Sequence, residues 1–342
     1  MIMSLGSTNY ISSTVPFKNL FWVIEKLGYV ETLVPKDLKQ YYKKMYFWWP
    51  EKQDLTYVGV ELNICHAKNN KICIETRTRA GRSCIELQQQ NHTIKIIKEF
   101  FGGYFETDYG KNKLFPPNDC NPEKTDLEMA IYVQRWIFNN ALIPLHIYSD
   151  FIAEKIHTNG SAGDLYSDAT GLLPFMDNMR PLVVSNNIQL PYLIGAWENY
   201  IKNVFLSLLK YGDGYEKFIK PDKLSAEDLI KIKNGEMCIE ECLVNRLSFQ
   251  RPYTIIANFK KLDSSIDVNA IFHIPFKRRK KSLYEQIDNI IELRNKIVHD
   301  GFLDVSLTQK DISRFIENIT EVADRLYKAI GEKYKFEPNF LF

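Results

Sequence analysis

Residues 287–301 read IDNIIELRNKIVHDG. Ile287, Ile290, Ile291, Ile297 and Val298 recur at the spacing of one face of an α-helix, so they form its expected buried side. Asp300-Gly301 is a helix C-terminal stop, and the periodicity extends back to Tyr284. Arg294, Asn295 and His299 have no part in that apolar pattern. Asn295 and His299 are i and i+4 and share a face. Arg294 stands five residues from His299, about 140° around the axis at ~100° per residue. One regular helix does not aim both side chains at one atom. Either the helix end bends, or a second copy of the helix supplies part of the site.

The residue types suggest a chemistry. His299 falls in the last turn, where the negative end of the helix dipole favours imidazolium, and it suits proton transfer near neutral pH. Arg294 keeps its charge and can hold a phosphate through a bidentate fork. A phosphate clamp beside a histidine is what RNA cleavage without a metal requires. The 2′-hydroxyl attacks the adjacent phosphorus, the histidine moves a proton, and the arginine neutralises the developing charge. No convincing carboxylate cluster for Mg²⁺ stands in the sequence, and neither a metal site nor a cofactor is expected. Glu292 reads as a solvated helix residue paired with Lys296 at i+4.

The surrounding sequence is helical. From Ile188 to Lys210, apolar residues at Leu193, Ile194, Trp197, Tyr200, Ile201, Val204, Phe205, Leu208 and Leu209 follow a 3.6-residue period. Ser225 and Asp228 fit a capping box at a second helix start. Ile312, Phe315, Ile316, Ile319, Val322, Ala323, Leu326 and Ile330 mark a last stripe. These segments predict an all-α bundle of four or more helices over 188–335. Just before the motif helix lies the densest charge cluster, Lys277, Arg278, Arg279, Lys280 and Lys281. It suits an RNA backbone, or else it is a solvated loop. His273 has no evident partner.

Upstream, residues 158–187 are rich in Gly, Ser, Asn and Asp and contain Pro174 and Pro181, which marks them as the linker. Residues 1–157 predict an α+β domain. Alternation at Val58, Val60, Leu62 and Ile64, at Ile72, Ile74, Thr76 and Thr78, and at Ser83, Ile85 and Leu87 gives an antiparallel meander. Asn69-Asn70 and Ala80-Gly81 supply its turns. Residues 17–48 read as helix or helix-turn-helix, ending in the aromatic run Tyr46, Phe47, Trp48, Trp49. Helices are expected over Thr93–Phe101 and about Glu123–Ala141, separated by a loop from about Phe115 to Pro122. Arg77, Arg79 and Arg82, followed by Gln88, Gln89, Gln90 and His92, offer an RNA- or trigger-sensing surface, or the ordinary polarity of exposed strands.

Composition narrows the class. The chain has 342 residues, 45% hydrophobic and 25% charged, which fits two globular domains and excludes a largely disordered chain. Lys+Arg 44 against Asp+Glu 42 leaves a formal charge of +2, so a polybasic tail is excluded. No apolar stretch approaches the ~20 residues of a membrane span, and the N-terminus has no secretory pattern. The cytoplasm is the expected compartment. Cys65, Cys73, Cys84, Cys120, Cys238 and Cys242 form no C-x₂-C pair and are expected as free thiols.

The pattern R-N-x₃-H near a helix end, followed by Asp-Gly, resembles the R-x₄-H signature of the HEPN superfamily (higher eukaryotes and prokaryotes nucleotide-binding). The helix LPYLIGAWENYIKNVF, residues 190–205, is similar to the opening helix of HEPN domains, with Trp197 and Glu198 as its characteristic pair. The resemblance covers roughly residues 186–335. It implies a helical domain that homodimerises and sets two motifs face to face. It also implies a metal-independent endoribonuclease of the toxin or antiphage (abortive infection) type, which leaves 2′,3′-cyclic phosphate and 5′-hydroxyl ends. In that picture Arg294 binds the phosphate, His299 is the acid or base, Asn295 orients either one, and Glu198 holds the Arg294 guanidinium. An inhibitor or a phage-derived trigger is the expected restraint. The other reading is a non-catalytic HEPN module that binds a nucleotide or partner, with His299 as a helix cap.

Overall fold

The computed structural model describes residues 4–50, 58–66, 70–79, 82–117, 125–158, 181–219 and 224–338. The chain divides into two compact units, Met1–Met129 and Ala130–Phe342.

The first unit is built on one seven-stranded antiparallel sheet. Its strands are β1 (Leu5–Ser12), β2 (Val30–Thr32), β3 (Tyr42–Trp48), β4 (Val60–Cys65), β5 (Lys71–Thr78), β6 (Tyr104–Thr107) and β7 (Gly110–Lys111). Their spatial order is β2-β3-β4-β5-β1-β6-β7. Helices α1 (Phe17–Lys26) and α2 (Cys84–Phe101) pack against it. The alternation read at 58–64 and 72–78 is the β4–β5 pair. Val60, Leu62, Ile64, Ile72 and Ile74 all turn inward to meet Leu20, Ile24 and Ile97 of the helices.

Three expectations for this unit change. The run Ser83, Ile85, Leu87 is the start of α2, not a strand. The Ser83 side chain accepts from the Glu86 N–H, and the Glu86 carboxylate accepts from the Ser83 N–H at 2.6 Å. That capping box outweighs a short alternation, which three residues cannot distinguish from a helix start. Within 17–48 the helical pieces are α1 and a single 3₁₀ turn at Lys36–Leu38, and Tyr46, Phe47 and Trp48 of the aromatic run lie in β3, where Tyr46 is core. Strand β1 escaped notice because two of its inward residues are polar. Ser7 hydrogen-bonds the Thr76 hydroxyl at 2.6 Å, and Asn9 Nδ2 donates to the Ile94 carbonyl at 3.0 Å. Cys65, Cys73, Cys238 and Cys242 are free, but Cys84 is disulfide-bonded, contrary to the expected set of free thiols. Of the expected turns, Asn70 has φ +57°, while Asn69, Ala80 and Gly81 lie outside the described residues, as do 118–122 of the Phe115–Pro122 loop.

The second unit is helical. It contains α3 (Asp126–Thr158, of which Ala130 onward counts here), α4 (Pro181–Tyr211), α5 (Tyr215–Ile219) and α6 (Ala226–Lys233). These are followed by α7 (Ile239–Val244), α8 (Pro252–Leu262), α9 (Val268–His273), α10 (Leu283–Asp300) and α11 (Gln309–Tyr334). Helix α4 is its axis, and every apolar residue expected on its buried face, from Leu193 to Leu209, is inside. The Ser225–Asp228 capping box opens α6 as read.

The helix read at about 123–141 packs in this second unit, although the sequence grouped it with the first. Phe138 stacks on Tyr200 at 4.6 Å, and Arg135 donates to Asp324 Oδ1 through Nε at 3.0 Å and Nη2 at 2.7 Å. Residues 181–187 of the expected linker are the first turns of α4, and 159–180 lie outside the described residues. Arg135 is almost wholly buried, so Arg135→Ala strands the Asp324 carboxylate beside the core. A loss of about 3 kcal/mol is expected in urea unfolding followed by circular dichroism.

Candidate active site

The motif helix α10 starts at a capping box. The Ser282 hydroxyl accepts from the Glu285 N–H, and the Glu285 carboxylate accepts from the Ser282 N–H at 3.0 Å. Leu283, Ile287, Ile290 and Ile291 bury its first half. It runs unbroken to Asp300 and stops at Gly301, which takes φ +64° and returns its N–H to the Lys296 carbonyl. Glycine meets that left-handed stop without the strain a side chain adds.

The second half of α10 departs from the expected buried stripe. Ile297 is only half-buried, and Val298 is 47% exposed. Phe302 and Val305, just past the helix, are 46% and 51% exposed. The apolar pattern persists along the sequence, but among the described residues this end of it stays largely exposed.

Arg294 and Asn295 are brought together. Arg294 Nη1 donates to Asn295 Oδ1 at 2.9 Å, which holds the guanidinium along the helix. Arg294 Nε is buried and has no acceptor among the described residues. His299 is exposed in the last turn. Glu198 sits half-buried on α4, and the ion pair expected with Arg294 is not among those formed, while its neighbour Trp197 is fully buried with Nε1 unpartnered. Glu292 lies 3.8 Å from Arg251 Nη1, which also donates to Asp288 Oδ1 at 3.2 Å, so Arg251 is its partner in place of the expected Lys296. Asp288, Glu292, Asn295 and His299 fall on one stripe of α10 by their spacing.

The basic run divides into two groups. Lys277 donates to Glu317 at 2.9 Å and Arg279 to the same carboxylate at 2.7 Å. These contacts hold Glu317 below the usual carboxylate range, the Lys277 bond foremost. Arg279 also donates to Asn318 and lies over the Phe276 ring. Arg278, Lys280 and Lys281 project into solvent. His273 is occupied: its Nδ1 lies 2.9 Å from the Asn269 carbonyl and its ring packs on Tyr284.

The sequence reading missed two residues next to this site. Asn186 and Asn187 of α4 are buried and hydrogen-bond to Leu307 and Asp304 in the loop after the motif. Adjacent asparagines inside an apolar helical run were the available signal, because a buried amide needs partners.

In the first unit, Arg77 donates to Ser4, and Arg79 pairs with Glu61 at 2.9 Å. Arg82 and Gln90 are core residues, not part of a sensing surface; Gln90 accepts from Thr78 and donates to the Leu5 carbonyl. Gln88 and His92 are exposed. Among the described residues, no three His, Cys, Asp or Glu side chains stand close enough to share a metal ion.

Residues 183–332, spanning α4 to the end of α11, match the family model described as RiboL-PSP-HEPN. This region is a HEPN domain. The match bears out the HEPN resemblance expected of the C-terminal part and connects the domain with RNA-related and nuclease function. Helix α3 lies outside the matched range although it packs in the same unit. No curated protein and no solved structure matches the chain. Among the described residues, no helix is long and apolar enough to cross a membrane.

Proposed function

We propose that the HEPN domain is a metal-independent endoribonuclease that works as a homodimer. The observation that carries this reading is the state of α10 past Ile291. An arginine fork oriented by Asn295 keeps its Nε unanswered among the described residues, an exposed histidine follows one turn beyond Asn295, and Val298, Phe302 and Val305, close to it in sequence, are exposed. Because α10 is unbroken, the ~140° between Arg294 and His299 is not closed by a bend. A second copy placed around a two-fold axis supplies the missing half and covers the apolar rim.

In such a site the two guanidiniums hold the scissile phosphate and neutralise its developing charge. One copy's His299 takes the proton of the 2′-hydroxyl as that oxygen bonds to phosphorus. The second copy's His299 gives a proton to the departing 5′-oxygen as the P–O bond breaks. The products are a 2′,3′-cyclic phosphate and a 5′-hydroxyl. Arg278, Lys280 and Lys281 are the cations of the basic run with most freedom to meet the RNA backbone, more so than Lys277 and Arg279. The sheet unit chooses the substrate or senses a trigger, and the biological role is that of a toxin or antiphage effector in the cytoplasm, held in check by an inhibitor or by the absence of a phage-derived trigger.

The deciding experiment incubates the purified chain with end-labelled RNA in EDTA and identifies the new termini. Fragments with cyclic phosphates, formed more slowly as salt rises, are the expected result. Intact RNA at every protein concentration favours a non-catalytic HEPN binding module instead.

A further inference from the structure

Helix α10 loses its packing before it reaches the motif. Ile291 is its last buried residue, and Glu292–Asp300 are all partly or fully exposed. Helix ends with few buried contacts open locally at little free-energy cost, so something beyond the helix must hold this one still. Further along the chain, half-buried Asp304 is tied by hydrogen bonds to a buried side chain of α4, ahead of Leu307, the next buried residue.

Asp304 is gripped by one side chain. Asn187 Oδ1 accepts the Asp304 N–H at 2.8 Å, and Asn187 Nδ2 donates to the Asp304 carbonyl at 3.0 Å and to the Val183 carbonyl at 2.8 Å. An amide that meets both backbone groups of one residue sets its orientation as well as its position. Asn186 Nδ2 adds a bond to the Leu307 carbonyl at 2.8 Å. Both asparagines are at most 1% exposed, so their amides are shielded from water, although the Asp304 side of the clamp is only half-buried. The Asp304 carboxylate closes the same loop by accepting the Ser306 N–H at 2.9 Å and the Ser306 hydroxyl at 2.6 Å.

We infer that Asn187 is a positioning residue of the candidate active site: by holding the Asp304 backbone it determines where the last turn of α10, and with it His299, stands. This inference rests on the ribonuclease reading. Asn187 touches no substrate and acts through the five-residue path from His299 to Asp304.

Two variants test it. In Asn187→Ala the Asp304 amide is expected to exchange with solvent at least about tenfold faster, with kcat down about tenfold and KM within about threefold. Because a buried change can unfold α4, the second variant inserts two glycines between Phe302 and Leu303. That insertion keeps every bond of the clamp while decoupling His299 from it, and the same loss of kcat is expected with an unchanged thermal midpoint. Unaltered kcat in the insertion variant overturns the positioning role, and unaltered Asp304 exchange in Asn187→Ala overturns the clamp. Should the wild-type chain leave RNA intact, the ribonuclease reading fails by itself. The clamp is then judged by NMR relaxation of the His299 ring, where greater mobility in the insertion variant is expected and equal mobility overturns it.

Discussion

His299→Ala is expected to slow RNA cleavage by about 10²–10⁴-fold, the range typical for loss of a positioned acid or base. His299 is exposed and buries no apolar surface, so the substitution leaves no cavity. The variant should therefore keep its unfolding midpoint, its oligomeric state and its affinity for RNA, and the whole effect should fall on kcat. Single-turnover cleavage of a labelled RNA, with binding measured separately by fluorescence anisotropy, makes the separation. A variant that cleaves at the wild-type rate removes His299 from the mechanism and, with it, the reading of α10 as the catalytic element.

Val298→Asp is expected to convert a dimer into monomers and to abolish cleavage together with it. At 47% exposure Val298 contributes little to the single chain, so the fold should tolerate a carboxylate there to within roughly 1 kcal/mol. A two-fold interface presents the same residue twice, so a single substitution sets two like charges against each other in a desolvated contact. Sedimentation velocity at micromolar concentration reads the assembly, and the RNA assay reads the activity. A monomeric variant that still cuts RNA refutes the composite site, whereas an intact, active dimer shows that this rim is not the contact.

Much of the helical unit was legible from residue spacing. The stripe from Leu193 to Leu209 is buried as its period requires, Ser225 opens its helix through the expected capping box, and Gly301 closes the motif helix, while the boxes at Ser282 and Thr308 emerge only in the structure. Such signals work because the groups involved lie within one turn of each other. The sheet unit was harder to read. β1 carries inward Ser7 and Asn9, whose polarity is compensated by Thr76 and the Ile94 carbonyl far along the chain, and the start of α2 imitated an alternating strand. Within the site, the sequence pointed to Arg294, Asn295 and His299, yet gave no sign that Arg294 would bond Asn295 while Glu198 stayed apart from it, or that Arg279 would be engaged by Glu317 and Asn318.

Periodicity and capping alone therefore determined that a helix ends at Gly301 with Arg294, Asn295 and His299 on its last turns, because those features depend on residues three to five apart. Tertiary structure decided which of these groups are held and by what. The Asn187–Asp304 clamp joins residues 117 apart, and the Arg135–Asp324 pair joins residues 189 apart. No local pattern encodes such partners: a buried polar group specifies that it must be satisfied, and only the packed chain specifies which group satisfies it.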